Sequence, residues 1–200
     1  MSETIGRYVG KHYGKPAVIL GGGSTLQGDL AACPPGAVRF AVNMHAHIAG
    51  VLADYVVFCD NPGRAFYSEL PPQEITPRIS HHGAPWSDIQ LTSAVPDFGF
   101  TSGVATWVAQ LMGCDPVILC GMGCYQDRAY CHDLAQHPRA SELHAAIGCQ
   151  VNRLRGALAG WERVRAAAWR PERIFAVSGP LVGEVFEAWP GEGAATEAVA

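Results

Sequence analysis

The 200-residue chain is predicted to be an α/β protein, a single-domain Rossmann-like three-layer sandwich built on a mostly parallel sheet. Three observations lead there. Short continuous apolar runs bounded by turn residues recur along the chain, as strands buried on both faces require. Segments with helical spacing alternate with those runs, which is how a parallel sheet is covered on both sides. The length suits one hydrophobic core, and no internal repeat or composition break divides it. The domain is expected over residues 1–190, with 191–200 (GEGAATEAVA) forming a flexible tail of small, weakly polar residues.

The elements follow in order. The run from Ala17 to Leu20 reads as a buried strand entering the loop Gly21, Gly22, Gly23, Ser24, Thr25. Thr25 to Ala32 suits a short helix, stopped by CPPG from Cys33 to Gly36. Val38 to Val42 is a second strand ending at Asn43, and Tyr55 to Cys59 a third ending at Asp60, Asn61 and Pro62. The stretch from Pro71 to Pro96, rich in Pro, Gly and His, holds one or two short strands around Ile79 and Ile89. Val104, Val108, Leu111 and Met112 recur at helical spacing, with Thr101 or Ser102 as N-cap and Gly113 as the stop. Pro116 to Cys120 is a further buried strand. Leu143, Ile147, Val151, Leu154 and Leu158 share one face of a long helix beginning near Ala140. Arg173 to Val177 is the last strand, and Ser178, Gly179 and Pro180 turn into a short final helix.

Composition excludes several classes. Hydrophobic residues make up 48% and charged residues 16%, which describes a globular protein and not a disordered one. A net charge of −4 gives no electrostatic basis for nucleic acid or an anionic membrane as partner. Arg153, Arg155, Arg163, Arg165 and Arg170 read as a solvated helix face. No apolar run reaches the roughly 18 residues of a membrane span. The first twenty residues lack the apolar stretch of a secretory signal, and seven cysteines without a small-scaffold spacing suit reduced thiols, so a cytoplasmic protein is expected. A homo-oligomer is compatible with such a sandwich.

In this architecture ligands bind at the carboxyl ends of the strands. Those ends carry Gly21, Gly22, Gly23 and Ser24, then Asn43, then Asp60 and Asn61, then Gly121, Met122 and Gly123, joined by Thr101, Ser102 and Gly103 at a helix start. Glycine lets the backbone approach a phosphate, and helix-start amides supply donors with a favourable dipole. Asn43 and Asn61 can both donate to and accept from a sugar or a base. GGGST is neither a P-loop nor a full GxGxxG. Taken alone it is equally a tight turn, whereas the set of strand ends together points to a nucleotide site.

GGGSTL, AVNMH, VFCDNP and the order TSGVA–helix–VILCGMGCYQ resemble the small bacterial sialyltransferases. They also resemble the related superfamily of flagellin-modifying glycosyltransferases and 6-hydroxymethylpterin diphosphokinases. The resemblance covers roughly Pro16 to Tyr130, with further support from IFAVSGPL. It implies a nucleotide-sugar donor as substrate, no tightly bound cofactor, and an unknown hydroxyl acceptor. It places Gly21, Gly22 and Gly23 near the donor phosphates, with Asn43 and Asp60 or Asn61 on the nucleotide or its transferred group. Ser102 would hold the phosphate or base side, and the backbone of Gly121, Met122 and Gly123 would line the base pocket. Tyr125 and Tyr130 stand about where two tyrosines assist the departing phosphate. The arginine that precedes TSG in the sialyltransferases is absent here, where residues 97–100 read DFGF, so the resemblance does not extend to a sugar carboxylate. Gly22 likewise stands where those enzymes carry asparagine.

Transfer to a hydroxyl needs a proton acceptor, and histidine suits that near neutral pH. His132 and His137 are the candidate bases in the loop after the nucleotide-contacting strand; His144 follows, and His81, His82, His45 and His47 are further options. Cys120, Cys124, Cys131, His132 and His137 include zinc-ligand types but lack the close CxxC pairing of structural sites, so no metal site is expected. Two other readings stay open. One is Mg²⁺-dependent pyrophosphoryl transfer from ATP, with Asp60 on the ion. The other is a nucleotide-binding module without catalysis.

Overall fold

The computed structural model describes residues 3–59, 76–80, 87–92, 95–96, 98–124, 126, 129–137, 140–141 and 151–191. Nine strands form one sheet: β1 (Glu3–Thr4), β2 (Ala17–Leu20), β3 (Val38–Val42), β4 (Tyr55–Phe58), β5 (Arg78–Ser80), β6 (Ile89–Gln90), β7 (Val117–Cys120), β8 (Ile174–Ala176) and β9 (Glu187–Ala188). The helices among the described residues include α1 (Leu26–Ala31), α2 (His45–Ile48), α3 (Thr101–Leu111) and α4 (Val151–Ala167). The strand order is β1-β6-β5-β4-β3-β2-β7-β8-β9, and each pairing is parallel. From β2 the chain winds outward to β6, then returns to lay β7 on the other side of β2. The order therefore reverses between β2 and β7, the point where a doubly wound sheet opens a crevice.

Strand periodicity sorts the core. Ala17, Ile19, Phe40, Val57, Val117 and Leu119 pack with Val104 and Val108 of α3, with Met112 just after it, and with Trp161 and Val164 of α4. Their neighbours Val18, Leu20, Ala41, Ile118, Cys120 and Phe175 pack on the opposite face with Leu26 of α1, Ala46 of α2 and Trp189. Each β2 and β7 residue is fully buried, which is why those runs are apolar without alternation. Burying each large aliphatic side chain contributes about 1.5–3 kcal/mol.

The predicted strands and helices recur within a residue or so at their ends, with three differences. Phe100, not Thr101 or Ser102, is the N-cap of α3; its backbone is extended and no side chain closes the helix start. No final helix follows Ser178: Gly179 and Gly183 take φ of +81° and +79°, a left-handed backbone that a helix cannot contain, and the chain enters β9 instead. The sheet edges β1 and β9 and the short helix α2 were not anticipated. The expected helix onset with Leu143 and Ile147, and the tail beyond Gly191, lie outside the described residues.

The amino-terminal segment closes the lower end of the sheet. Gly10, His12 and Gly14 amides donate to the carbonyls of Leu111, Met112 and Gly113, and the Asp115 amide donates to Lys15 O. These four bonds hold the residues before β2 against the end of α3 and the turn into β7.

Candidate functional site

The loops after β2 and β7 are joined to each other. The Gly21 amide donates to Cys120 O at 2.9 Å and the Gly23 amide to Gly121 O at 2.8 Å. A Cβ on Gly21 would lie 2.5 Å from Gly121 O, so glycine there answers to backbone packing. Two of the three loop amides expected to face phosphates are thus engaged inside the protein. Gly121 takes φ of +65°, and its own amide donates to Asp29 Oδ2 at 2.8 Å. That carboxylate, 4% exposed, also accepts from Thr25 Oγ1 at 2.9 Å, and Ser178 Oγ donates to Thr25 Oγ1 at 3.0 Å. Two hydrogen bonds make its burial tolerable and fix the wall formed by Gly121, Met122 and Gly123. Met122 itself is 6% exposed and belongs to the core.

A second layer closes over the glycine loop. Gly23 forms an antiparallel bridge with Tyr130, and the Cys131 amide donates to Gly22 O at 3.1 Å. Beneath this layer stands His45, the first residue of α2. A Cβ on Gly22 would lie 2.7 Å from its ring, so the glycine makes room for an imidazole. The His45 ring lies nearly parallel to those of Tyr130, His132 and His137, with centroids 5.3, 5.3 and 5.0 Å away. Its Nδ1 lies 3.0 Å from His132 Nε2, and His132 Nδ1 donates to Asp133 O at 3.0 Å. Burial pushes the Cys131 thiol up to about 11, so it stays protonated near neutral pH; its sulfur lies 3.8 Å from His45 O.

Asn43 follows β3 directly, two residues before His45. Its φ of 54° is left-handed, and among the described residues only Cys124, φ 49°, shares that feature without being glycine. The Asn43 side-chain oxygen is buried and accepts no hydrogen bond within the described residues. A buried polar atom in that condition costs about 1–3 kcal/mol unless something else satisfies it.

Thr101, Ser102 and Gly103 lie at the start of α3, at the carboxyl side of the sheet. Thr101 is buried and Ser102 half-buried; Ser102 O accepts from Thr106 Oγ1 at 2.9 Å. A Cβ on Gly103 would lie 2.8 Å from both Phe100 and Val164, so Gly103 serves the contact between α3 and α4. Ser24 is exposed at the rim.

The structure thus gathers Gly22, Gly23, Tyr130, His132 and His137, and brings His45 to their centre. Sequence reading had placed His45 behind His132 and His137; the missing Cβ at Gly22 was its only local signal. Asp29 was missed altogether. Tyr125, Asp60, Asn61, His81, His82 and His144 lie outside the described residues. Among the described residues no group of three His, Cys, Asp or Glu side chains is arranged to hold a metal ion. Cys120 instead meets Cys33, sulfur to sulfur at 3.3 Å; that contact holds the Cys33 thiol below the usual range and, with burial, pushes the Cys120 thiol up. No described helix is long and apolar enough to cross a membrane.

The fold and these strand-end loops define a Rossmann-like α/β protein with a mostly parallel sheet. No family model and no curated protein matches the chain. Solved structures do. The sialyltransferase CstII from Campylobacter jejuni, in complex with the substrate analogue CMP-3FNeuAc, aligns with a TM-score of 0.56 at 17% identity, covering 88% of this chain and 87% of that one. A variant of CST-II in complex with CMP gives 0.56 at 15% identity over the same shares. The monofunctional α-2,3-sialyltransferase Cst-I from Campylobacter jejuni gives 0.58 at 16%, covering 88% of this chain and 80% of that one. At these identities the likeness is one of fold.

Proposed function

We propose that the chain is a nucleotide-sugar-dependent glycosyltransferase-like enzyme that transfers a sugar to a hydroxyl acceptor. The observation that carries this reading is Asn43, a left-handed residue at the carboxyl end of β3 whose buried side-chain oxygen awaits a donor. An exocyclic amine or a sugar hydroxyl of a nucleotide supplies that donor. Two of the solved structures that share the fold hold CMP or a CMP-linked analogue, so a cytidine nucleotide is the first candidate.

In this reading the nucleotide lies across the strand ends between the first turn of α3 and the wall at Gly121, Met122 and Gly123. The phosphate faces the layer formed by Gly22, Tyr130 and the imidazoles. Departure of the sugar leaves negative charge on that phosphate, and a phenol or imidazole hydrogen bond aimed there stabilises the transition state more than the ground state. Of the two candidate bases, His137 accepts the proton of the attacking hydroxyl, because both ring nitrogens of His132 are engaged by Asp133 O and His45. The donor is a substrate, and no resident cofactor is invoked. The absent arginine before Thr101 argues for a transferred group other than a carboxylate sugar.

The test is thermal unfolding with CMP, CDP, UDP, GDP, ADP and ATP, with and without Mg²⁺. A ligand of the native state at a hundredfold excess over its dissociation constant adds about 2.7 kcal/mol of stability. The expected result is a shift with a cytidine nucleotide that Asn43→Ala loses while its ligand-free midpoint stays within a few degrees. An ATP shift that requires Mg²⁺ would replace this reading with pyrophosphoryl transfer. Binding without any donor turnover would leave a nucleotide-binding module.

A further inference from the structure

Behind the wall at Gly121 two thiols from distant parts of the chain meet. Cys33 stands in the turn after α1, its amide donating to Leu30 O at 3.2 Å, and Cys120 is the last residue of β7. Their sulfurs are 3.3 Å apart. Both are free thiols. Cys120 is fully buried, whereas Cys33 is half-buried beside exposed Ala32 and Pro35. A small oxidant can therefore reach one sulfur of the pair and not the other.

The hydrogen bonds give the two sulfurs different roles. Cys33 Sγ lies 3.4 Å from the Asp29 carbonyl, which can only accept, so the Cys33 thiol donates there. The proton between the two sulfurs then belongs to Cys120, which donates to Cys33. That bond remains when Cys33 ionises and is stronger to the thiolate. It holds the Cys33 thiol below the usual cysteine range, while the same contact, with burial, keeps Cys120 protonated. The thiolate is the nucleophile in thiol oxidation. Cys33 is thus the sulfur that reacts, and Cys120 the second thiol already in contact with it.

We propose that Cys33 and Cys120 form an oxidation site, which a hydroperoxide converts to a disulfide joining the turn after α1 to the end of β7. The Cys33 thiolate attacks a peroxide oxygen; a sulfur–oxygen bond forms, the oxygen–oxygen bond breaks, and the departing oxygen takes the proton that Cys33 lost. The Cys120 sulfur then attacks the Cys33 sulfur. The sulfur–sulfur bond forms, the sulfur–oxygen bond breaks, and the departing hydroxide leaves as water with the Cys120 proton. Two thiols and one hydroperoxide give one disulfide, one alcohol and one water, with two electrons passing from sulfur to oxygen. The sulfurs close from 3.3 Å to about 2.05 Å. Asp29 O loses the thiol donor but keeps the Ala32 amide at 3.1 Å.

The position of the bond gives it a consequence. Cys120 O accepts from the Gly21 amide, and the Gly121 amide donates to Asp29 Oδ2, so α1, the glycine loop and the wall meet here through hydrogen bonds. A disulfide makes that junction covalent between residues 87 positions apart. A link closing so long a loop restricts the unfolded chain strongly, so the oxidised protein is the more stable form. None of this depends on the nucleotide reading.

The experiment exposes the full chain to hydrogen peroxide, blocks the remaining thiols by alkylation and maps peptides without reduction. The expected first product is two hydrogens lighter, with Cys33 joined to Cys120. It should melt several degrees higher than the reduced chain and return to it with dithiothreitol. In Cys120→Ala, Cys33 should stop at the sulfenic acid and be captured by dimedone. In Cys33→Ser, the same exposure should leave Cys120 reduced. A first link through other cysteines would overturn the proposal. So would a parent chain in which Cys33 is oxidised while Cys120 stays a free thiol. A Cys33–Cys120 link that leaves the melting midpoint unchanged would overturn the stabilising role. The parent-chain map decides between these results whether or not the variants fold.

Discussion

Gly21 and Gly22 show how a loop can be glycine-rich for reasons that a motif does not state. The sequence marks both as places of close approach, and that is correct. What approaches is the Gly121 carbonyl in one case and the His45 ring in the other. The partner was not legible because the contacts join residues about 100 and 23 positions apart, and a missing Cβ does not name what fills its place. Asp29 was hidden for a related reason, since in the sequence it is one polar residue in a short helix. Its role exists only once Gly121 is folded against it. Substitution separates these cases. Gly21→Ala sets a methyl group against backbone that cannot yield, and should cost about 1–3 kcal/mol. Gly28→Ala, in α1 with nothing within 4 Å of the added carbon, should stabilise by about 0.5–1 kcal/mol through helix propensity. Urea unfolding of both variants checks the contrast; equal effects would mean that Gly21 is not packed against Gly121.

At the scale of elements, the central strands were legible because burial on both faces leaves only apolar residues, and turn residues bound each run. The edges β1 and β9 are two residues long and carry no periodicity to read. The amino-terminal segment was unreadable for the opposite reason: it is held by backbone bonds, which any sequence can make. Side chains add to them at Tyr55, which meets Tyr8, Lys11 and His12. His12 Nε2 lies 2.9 Å from Tyr55 OH, and burial, helped by Lys11 and Lys15 nearby, lowers its proton affinity below the usual histidine value. The unfolded chain then binds a proton more readily than the folded one. Stability from this group is complete above the unfolded value, near 6.5, and falls as pH drops below it toward the lowered folded value. Melting temperatures between pH 7.5 and 5 should therefore decline less in His12→Gln than in the parent chain. Parallel declines would show that His12 is not held neutral by the fold.

For the whole molecule, the reversal of strand order between β2 and β7 opens a crevice at the carboxyl ends of the strands, and the sequence places Gly, Asn and a helix start there. It did not show the second layer, since the imidazole set draws on α2 and on residues 130–137, 87 positions apart at the His45–His132 contact. The opposite end of the sheet is closed by the amino-terminal segment and offers Lys11 over the Tyr8 and Tyr55 rings, a cation already engaged. Among the described residues, then, only the carboxyl end combines a buried acceptor atom with left-handed strand-end residues and a cluster of imidazoles.

Hydrogen–deuterium exchange of the protein with and without CMP tests that assignment most directly. Slowed exchange confined to the loops after β2, β3 and β7, the first turn of α3 and residues 129–137 is the result predicted. Protection centred on residues 8–15 and the amino-terminal ends of the strands would contradict it.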